Sequence, residues 1–217
     1  MPLERETPPF RRAMCLGARA SCPHRGWHSR GYLPHFDQPN EIQSITFRLA
    51  DSVPADTIGG WRAELGLLGA GAAADPRCAE LRKRIERYSD RSEGVCWLRR
   101  PAVAEIVQSA MLHFDGARYR LLAWCVMPNH VHALAEVLGG FPLGSVVHSW
   151  KSFTANQCNR ALGRTGSFWM PDYFDRFIRN ADHLARAINY IERNPVLAGL
   201  CDRPEAWPWG HARQGEE

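Results

Sequence analysis

The sequence predicts an α+β fold in which helices pack on an antiparallel sheet. Patterns typical of strands and helices alternate irregularly along the 217 residues. Two strand patterns, 119–127 and 130–137, are separated only by Pro128 and Asn129, so they predict a β-hairpin. No glycine-rich phosphate loop lies between a strand and a helix, which argues against a nucleotide-binding fold. Irregular alternation with a hairpin favours an antiparallel sheet over a parallel, doubly wound one.

The other elements follow from residue spacing. Near-alternation of β-branched and aromatic residues predicts a strand over residues 42–49, and residues 168–178 are aromatic and extended. Apolar residues at helical spacing predict further helices, which cover residues 51–88 (with a break at 69–76), 101–114, 143–162 and 180–193. Gly163 is a suitable stop for the third of these, and Asn194-Pro195 is predicted to end the last.

The net charge of +4 is concentrated at the N-terminus. Residues 1–36 hold six arginines and two glutamates, whereas residues 37–217 hold 21 basic and 21 acidic side chains. We therefore divide the chain into a basic arm (1–36) that is loop or disordered, one domain (37–200) and a C-terminal tail (201–217). A basic arm suits a nucleic-acid backbone, and a solubilising tail would have the same composition.

Composition also limits the class of protein. The longest apolar run, residues 121–127, is too short to cross a bilayer. The N-terminus lacks the apolar stretch of a secretory signal, so the cytoplasm is the expected location. None of the seven cysteines forms a pair with the two-residue spacing of a zinc knuckle, and reduced thiols are expected.

His130 and His132 lie on a predicted strand with Val131 between them. Side chains alternate across a strand, so both imidazoles point to one face and Val131 points to the other. Two imidazoles that project together can form half of a metal site for Mn, Fe, Co, Ni or Zn. A structural pair of histidines at a core edge has the same pattern, so the motif alone leaves both interpretations open.

Tyr190 and Asn194 are four residues apart on a predicted helix and therefore share a face. A tyrosine so placed can attack a phosphodiester, and an amide oxygen one turn later can complete a metal's ligand set. A core tyrosine at a helix end would have the same spacing. Tyr173, in an extended aromatic segment, ranks second as a nucleophile, and it could instead stack on a base.

Basic, polar and aromatic side chains accompany these groups in the sequence. We expect the basic and polar ones to track phosphates and the aromatic ones to stack on unpaired bases. An amphipathic helix with a solvated face would explain several of them equally well. The predicted DNA-binding residues are Lys151, Asn156, Arg160, Trp169, Tyr173, Arg176 and Arg179.

Four blocks of the sequence resemble one protein family when taken in order. They are MPNHVHAL, SWKSFTANQCN, FWMPDYFDRFIRN and YIERNPVLAGL. In this order they resemble the REP-associated tyrosine transposases, which belong to the single-tyrosine transposases among the HUH (His-hydrophobe-His) nucleases. The resemblance covers about residues 30–210. The basic leader has no counterpart in it.

The resemblance implies a ferredoxin-like fold, in which residues 37–200 form the HUH catalytic domain. It implies that His130, His132 and Asn194 bind Mg²⁺ or Mn²⁺ and that Tyr190 is the nucleophile. The implied reaction cuts single-stranded DNA, leaves a 5′-phosphotyrosine and a free 3′-OH, and can later rejoin the strand. The implied substrate is a hairpin from a repetitive extragenic palindrome (REP) with a short flanking guide sequence, and the implied location is the nucleoid.

Two other interpretations remain open at this point. One is a domesticated transposase that binds hairpin DNA without cutting it. The other is a cupin-like metalloenzyme, since His130, His132 and Glu136 fit the first metal motif of that family. Sequence alone decides neither the DNA site, nor whether the protein is a monomer or a homodimer, nor whether Tyr190 acts within its own chain.

Overall fold

The structure is a computed structural model of the chain. It describes residues 26–29, 34–37, 41–67, 75–90 and 94–212. The strands within these ranges are β1 Gly26–Ser29, β2 Pro34–Asp37, β3 Ile42–Arg48, β4 Tyr119–Val126, β5 His130–Val137 and β6 Phe174–Phe177. The helices are α1 Ala55–Glu64, α2 Pro76–Asp90, α3 Pro101–Leu112, α4 Leu143–Leu162 and α5 Ala181–Leu197. Short 3₁₀ helices occur at Trp97–Arg99 and Pro204–Ala206.

The central sheet confirms the predicted α+β fold. Its strand order is β4-β5-β3-β6, and every neighbouring pair is antiparallel. This is the order expected for a ferredoxin-like sheet with two βαβ halves. The predicted hairpin is β4–β5, and the predicted helix over 143–162 is α4, which ends at Gly163 in the left-handed conformation.

The sheet has an apolar face and a face that carries polar groups. Alternate residues of β3 and β5, including Phe47, Val131 and Ala133, pack with α3 and α4 in the main core. The opposite face packs against α5 through Cys125, Leu134 and other residues of a second cluster. Because β5 alternates, the side chains of His130 and His132 lie on this second face.

Helix α2 covers the same polar side of the sheet. Its buried residues, Cys78, Leu81, Ile85 and Ser89, recur at helical spacing. Leu81 and Ile85 pack in an apolar cluster that includes Val53. The end of α2 is fixed by Ser89, whose carbonyl oxygen accepts a hydrogen bond from the side chain of Asn129. This contact brings the last turn of α2 next to the start of β5.

Two segments outside residues 37–200 contain structure that the sequence did not predict. β1 and β2 form an antiparallel hairpin inside the segment expected to be loop, while residues 1–25 lie outside the described residues. The sequences of β1 and β2 each contain an aromatic residue, which favours a strand. The prediction of a loop was based on the arginine-rich composition of the whole segment. The segment expected to be a tail packs on the sheet, since Val126 N donates to Trp209 O and Trp207 Nε1 donates to Val126 O.

Helix α5 continues through Pro195, although the sequence predicted an end there. The proline lies near the C-terminus, so its missing N–H removes only one helical hydrogen bond. The following amides still pair, with Ala198 N donating to Asn194 O and Leu200 N donating to Pro195 O. Asn194 and Pro195 are buried, and this packing outweighs the local cost.

The fold excludes the cupin-like interpretation. The histidines lie on a four-stranded sheet covered by helices rather than in a β-barrel. Glu136, the third residue of the cupin-like motif, pairs with Arg120 at 3.4 Å near the far end of β5. Among the helices described, none has the length and apolar character required of a membrane span.

Candidate active site

The two histidines of β5 lie side by side against β3. His130 is paired with Arg48 and His132 with Thr46 in the strand register. Both imidazoles are buried, and their Nε2 atoms are 2.9 Å apart. Two nitrogens bound at a right angle to one ion, with bonds of about 2.1 Å, would be about 3 Å apart. The pair therefore has a spacing that one metal ion can bridge.

Hydrogen bonds to Nδ1 orient both rings. His130 Nδ1 donates to Asn129 Oδ1 at 2.7 Å, because an amide oxygen can only accept. This leaves His130 Nε2 without a proton. His132 Nδ1 lies 3.0 Å from Thr46 Oγ1, and a hydroxyl can donate or accept. Thr46 can thus accommodate the tautomer in which His132 Nε2 also presents a lone pair, as metal ligation requires.

Asp90, the last residue of α2, supplies a third group suited to a metal. Its Oδ1 lies 3.9 Å from His130 Nε2, and one ligand atom from each of the three residues falls within 4.8 Å of the others. Asp90 Oδ1 is buried and has no hydrogen-bond partner within the described ranges. Two imidazole nitrogens and one carboxylate oxygen form a donor set that fits Mn²⁺ and related divalent ions.

Burial sets the protonation of this group. The pKa of His130 is well below its ordinary value, owing to burial and then to His132 and Arg48. Burial, assisted by Arg48, lowers the pKa of His132 to about 3. Burial raises the pKa of Asp90 to about 6, with Glu86 adding to the rise and Arg48 opposing it. The imidazoles are therefore neutral at pH 7, which is the form that binds metal.

These shifts predict that acid destabilises the metal-free protein. Below about pH 6.5 both histidines are protonated in the unfolded chain but not in the folded chain. The free energy of unfolding therefore decreases as the pH is lowered. The slope is about 1.4 kcal/mol per pH unit for each histidine that titrates fully. Asp90 has the opposite effect on the free energy of unfolding. Its pKa is raised to about 6, so between about pH 6 and the ordinary pKa of an aspartate the folded chain binds a proton that the unfolded chain does not.

Urea unfolding in EDTA at about pH 7 and about pH 5, on either side of the ordinary histidine pKa, measures this dependence. We expect lower stability at the acidic pH in the native sequence and a steeper fall in Asp90→Asn, which lacks the opposing group. A free energy of unfolding that is equal at the two pH values in both proteins would contradict the assignment of neutral, buried histidines.

Tyr190 on α5 lies next to the histidine pair. Its ring meets the His132 ring edge-on, with centroids 5.5 Å apart and an interplanar angle of 78°. Its hydroxyl donates to Glu86 Oε1 on α2 at 3.0 Å. Burial and the carboxylates of Glu86 and Asp90 raise the pKa of Tyr190, and Asn194 acts in the opposite direction. The phenol is thus protonated and hydrogen-bonded to a potential proton acceptor.

Asn194 lies one helical turn after Tyr190, as its spacing predicted. It is buried, and its Nδ2 atom has no well-formed hydrogen bond to the described residues. Its influence on the pKa of Tyr190 indicates that the amide lies near the hydroxyl. Ligation of a metal by Asn194 stays a prediction.

The structure distributes the predicted DNA-binding residues over several environments. Asn156 and Arg160 are exposed on α4, which packs on the opposite face of the sheet from the histidines. Lys151 donates to Pro171 O at 2.8 Å, so its ammonium group is already engaged. Its pKa is lowered to about 8 by burial.

Two of the aromatic residues predicted to stack on bases are packing residues. Trp169 meets Phe47 edge-on at 4.9 Å, and its Nε1 donates to Thr154. Tyr173 is also in the core. Neither ring offers an open face, so base stacking would have to come from other side chains. Arg176 and Arg179 are exposed, and both line a groove that reaches Tyr190.

Asp90 and Glu86 were not identified from sequence. They lie about 40 and 100 residues from the groups that they contact, in a charged helix whose polar side chains resemble an ordinary solvated face. No spacing rule connects them to His130 or Tyr190. Only the packing of α2 over the sheet reveals their proximity.

Comparison with known proteins finds a family match for the segment that holds most of these residues. Residues 99–194 match the family described as transposase IS200-like, a segment that includes both histidines, Tyr190 and Asn194 but not α2. A curated protein of Haemophilus influenzae, provisionally described as a REP-associated tyrosine transposase, is 25% identical over 101 residues. That alignment covers 42% of this chain and 57% of the relative, so the chain spans little more than half of the relative's length.

The fold is also found in a solved structure of a REP-associated tyrosine transposase bound to a REP hairpin. The two chains have a TM-score of 0.54 at 16% sequence identity, over 83% of this chain and 81% of the other. This similarity establishes a common fold. Residues 99–194 are thus similar to the IS200-like transposase family, and the resemblance of this chain to the REP-associated tyrosine transposases is confirmed as a similarity.

Proposed function

We propose that this chain is a metal-dependent enzyme that cuts and rejoins single-stranded DNA through a 5′-phosphotyrosine at Tyr190. The observation that carries the proposal is the position of Tyr190, whose ring contacts that of His132 beside a pair of metal-type nitrogens. A tyrosine next to groups that can hold a metal is an arrangement suited to phosphoryl transfer to a side chain.

His130, His132 and Asp90 are the proposed metal ligands, with Asn194 as a fourth candidate. The ion would be Mn²⁺ or Mg²⁺. When bound, it would polarise the scissile phosphate and offset the negative charge that develops on the phosphate oxygens. Asn129 and Thr46 would keep the imidazoles in the required tautomers through their Nδ1 atoms.

The proposed step is a transesterification. The Tyr190 oxygen attacks the phosphorus, the bond from phosphorus to the 3′-oxygen breaks, and that oxygen leaves as a 3′-OH after taking a proton from water. The tyrosine proton passes to Glu86, which already accepts its hydrogen bond. One phosphodiester is exchanged for another, so attack by a 3′-OH on the phosphotyrosine reverses the step and joins strands.

Glu86→Gln tests the proposed proton acceptor. An amide keeps the size of the side chain but cannot take the proton, and removal of a general base costs about 10²–10⁴-fold in rate. We expect a loss of this size in the rate of adduct formation at pH 7. Affinity for Mn²⁺ should be unchanged.

Glu80→Gln is the matched control, because Glu80 lies on the same helix and pairs with Arg84 away from Tyr190. It should react like the native protein. If Glu86→Gln retained the native rate, the tyrosine proton would have to leave by another route.

The substrate is proposed from the relatives. The solved relative is bound to a REP hairpin, and a hairpin with a flanking single strand is the proposed substrate here. Tyr190 contacts His132 of its own chain, which supports a site that one monomer can complete. Association with the nucleoid and a role as an active transposase remain predictions.

The deciding experiment incubates the protein with end-labelled hairpin DNA that carries single-stranded flanks, with Mn²⁺ or with EDTA. We expect a covalent protein–DNA band on a denaturing gel with Mn²⁺ and none with EDTA. Hairpin binding without any covalent band, over a range of flanks and metals, would overturn the proposal. It would indicate a domesticated DNA-binding protein instead.

A further inference from the structure

A groove extends from Tyr190 along the polar side of the sheet. Its volume is about 780 Å³, and it lies between α2 and α5, with residues of β3 and β6 between them. The groove is partly open to solvent. Because Tyr190 lines the groove, a strand whose phosphate reaches Tyr190 can continue along it.

The groove is strongly basic. Its walls hold six cationic side chains and two carboxylates. Lys83 on α2, Arg176 on β6 and Arg186 on α5 are exposed, and none of the three forms an ion pair with any residue the structure describes. Two helices and one strand thus direct unneutralised positive charge towards the same space.

The positive charge of the groove affects the pKa of His183, and Arg82 contributes a donor that lacks an acceptor in the part of the chain that the structure describes. The pKa of His183 in the groove is lowered by burial and then by Arg176, Arg186 and Arg179. Arg82 on α2 is half-buried, and its Nε has no hydrogen-bond partner among the described residues. A buried guanidinium donor without an acceptor is costly, and an anionic oxygen would satisfy it.

The groove also contains aromatic rings at its β6 side. Phe174 and Phe177 are partly exposed there, with Arg48 over the Phe174 ring at 4.7 Å and Arg179 over the Phe177 ring at 5.5 Å. A basic channel with aromatic rings is the arrangement that binds single strands, whose bases expose their faces. A duplex keeps those faces stacked inside, so it gains less from such a surface.

We propose that this groove binds the single-stranded DNA segment next to the scissile phosphate, with Arg82, Lys83 and Arg186 contacting successive phosphates. The inference rests on the proposed function, because it places the strand that Tyr190 would cut. Arg82 and Lys83 lie on α2, outside the segment that matches the transposase family.

Binding of a fluorescent single strand of about 12 nucleotides tests the proposal. Anisotropy is measured in EDTA at several salt concentrations, so that no cutting is needed. We compare the combined Arg82→Ala, Lys83→Ala, Arg186→Ala variant with a control of equal charge change, Arg99→Ala, Arg193→Ala, Arg203→Ala, whose residues are exposed outside the groove. Arg186→Glu alone serves as a surface variant that does not disturb burial.

Removing one cation that binds a phosphate should lower the salt slope of the binding constant by about 0.7. The groove variant should therefore show a slope smaller by about two units and an affinity reduced by about 10–100-fold at low salt. Arg186→Glu should weaken binding by at least about 3-fold, and the control should stay within about 3-fold of the native protein. A hairpin stem without single-stranded flanks should compete poorly.

Equal effects of the groove and control variants, or full competition by the stem, would overturn the inference. If the native protein still formed the covalent adduct in that case, the proposed function would stand and only the place of the strand would be wrong. If the single strand bound as expected for the groove but the native protein formed no covalent adduct, the proposed function would be overturned instead.

Discussion

Replacing Tyr190 with phenylalanine is expected to abolish covalent attachment of the protein to DNA. The change removes the attacking oxygen, and deletion of a covalent nucleophile lowers a rate by on the order of 10³-fold or more. The ring can keep its contact with His132, and the hydrogen bond to Glu86 that disappears is at a partly exposed position. Folding and Mn²⁺ affinity should therefore be close to native.

The measurement is the denaturing gel with labelled hairpin DNA and Mn²⁺, supported by a thermal melt of each variant. Tyr173→Phe is the matched control, because Tyr173 is the second candidate in the sequence and lies in the core of the structure. It should form the adduct. An adduct that persisted in Tyr190→Phe would assign the nucleophile to a different residue.

Replacing either histidine of the pair with alanine is expected to remove tight metal binding. Each change deletes one of the three proposed ligands. The loss of His130 also removes a hydrogen bond to Asn129, and the loss of His132 removes one to Thr46. Removing a residue that only orients a ligand costs about 10–100-fold in affinity, so removing a ligand should cost on the order of 100-fold or more. Adduct formation should fall with it at limiting metal.

Calorimetric titration with Mn²⁺ measures this effect directly and does not depend on activity. His148→Ala is the control, since His148 is exposed on α4, on the other side of the sheet. It should bind Mn²⁺ like the native protein. Native affinity in both His130→Ala and His132→Ala would place the metal elsewhere and would remove the basis for the proposed site.

The elements that sequence predicted well are those with strong local signals. Helix α4 has a continuous apolar stripe and a glycine stop, and the β4–β5 hairpin has a tight Pro-Asn turn between two strand patterns. Strand and helix periodicity also predicted that His130 and His132 share one face and that Tyr190 and Asn194 share another, while their roles stay predictions. In each case the two interacting residues are close in sequence.

The features that sequence missed depend on contacts between distant segments. Asp90 and Glu86 lie next to the histidines and Tyr190 because α2 folds over the sheet, and their own segment has only the pattern of a charged amphipathic helix. Trp169 and Tyr173 were expected at a DNA surface because aromatic residues suit both stacking and burial. Pro195 was expected to end a helix that tertiary packing continues.

The alternation of β5 links the chemistry of this protein to the correctness of its fold. The same eight-residue strand places Val131 and Ala133 in the core and the two histidines on the opposite face. A shift of one residue in its pairing would place the imidazoles in the apolar main core and put Val131 where the histidines now face Asp90 and Tyr190. Molecules with a misaligned strand would thus lack the proposed metal site. The number of Mn²⁺ ions bound per chain would therefore also give the fraction of molecules in a preparation whose β5 is correctly aligned.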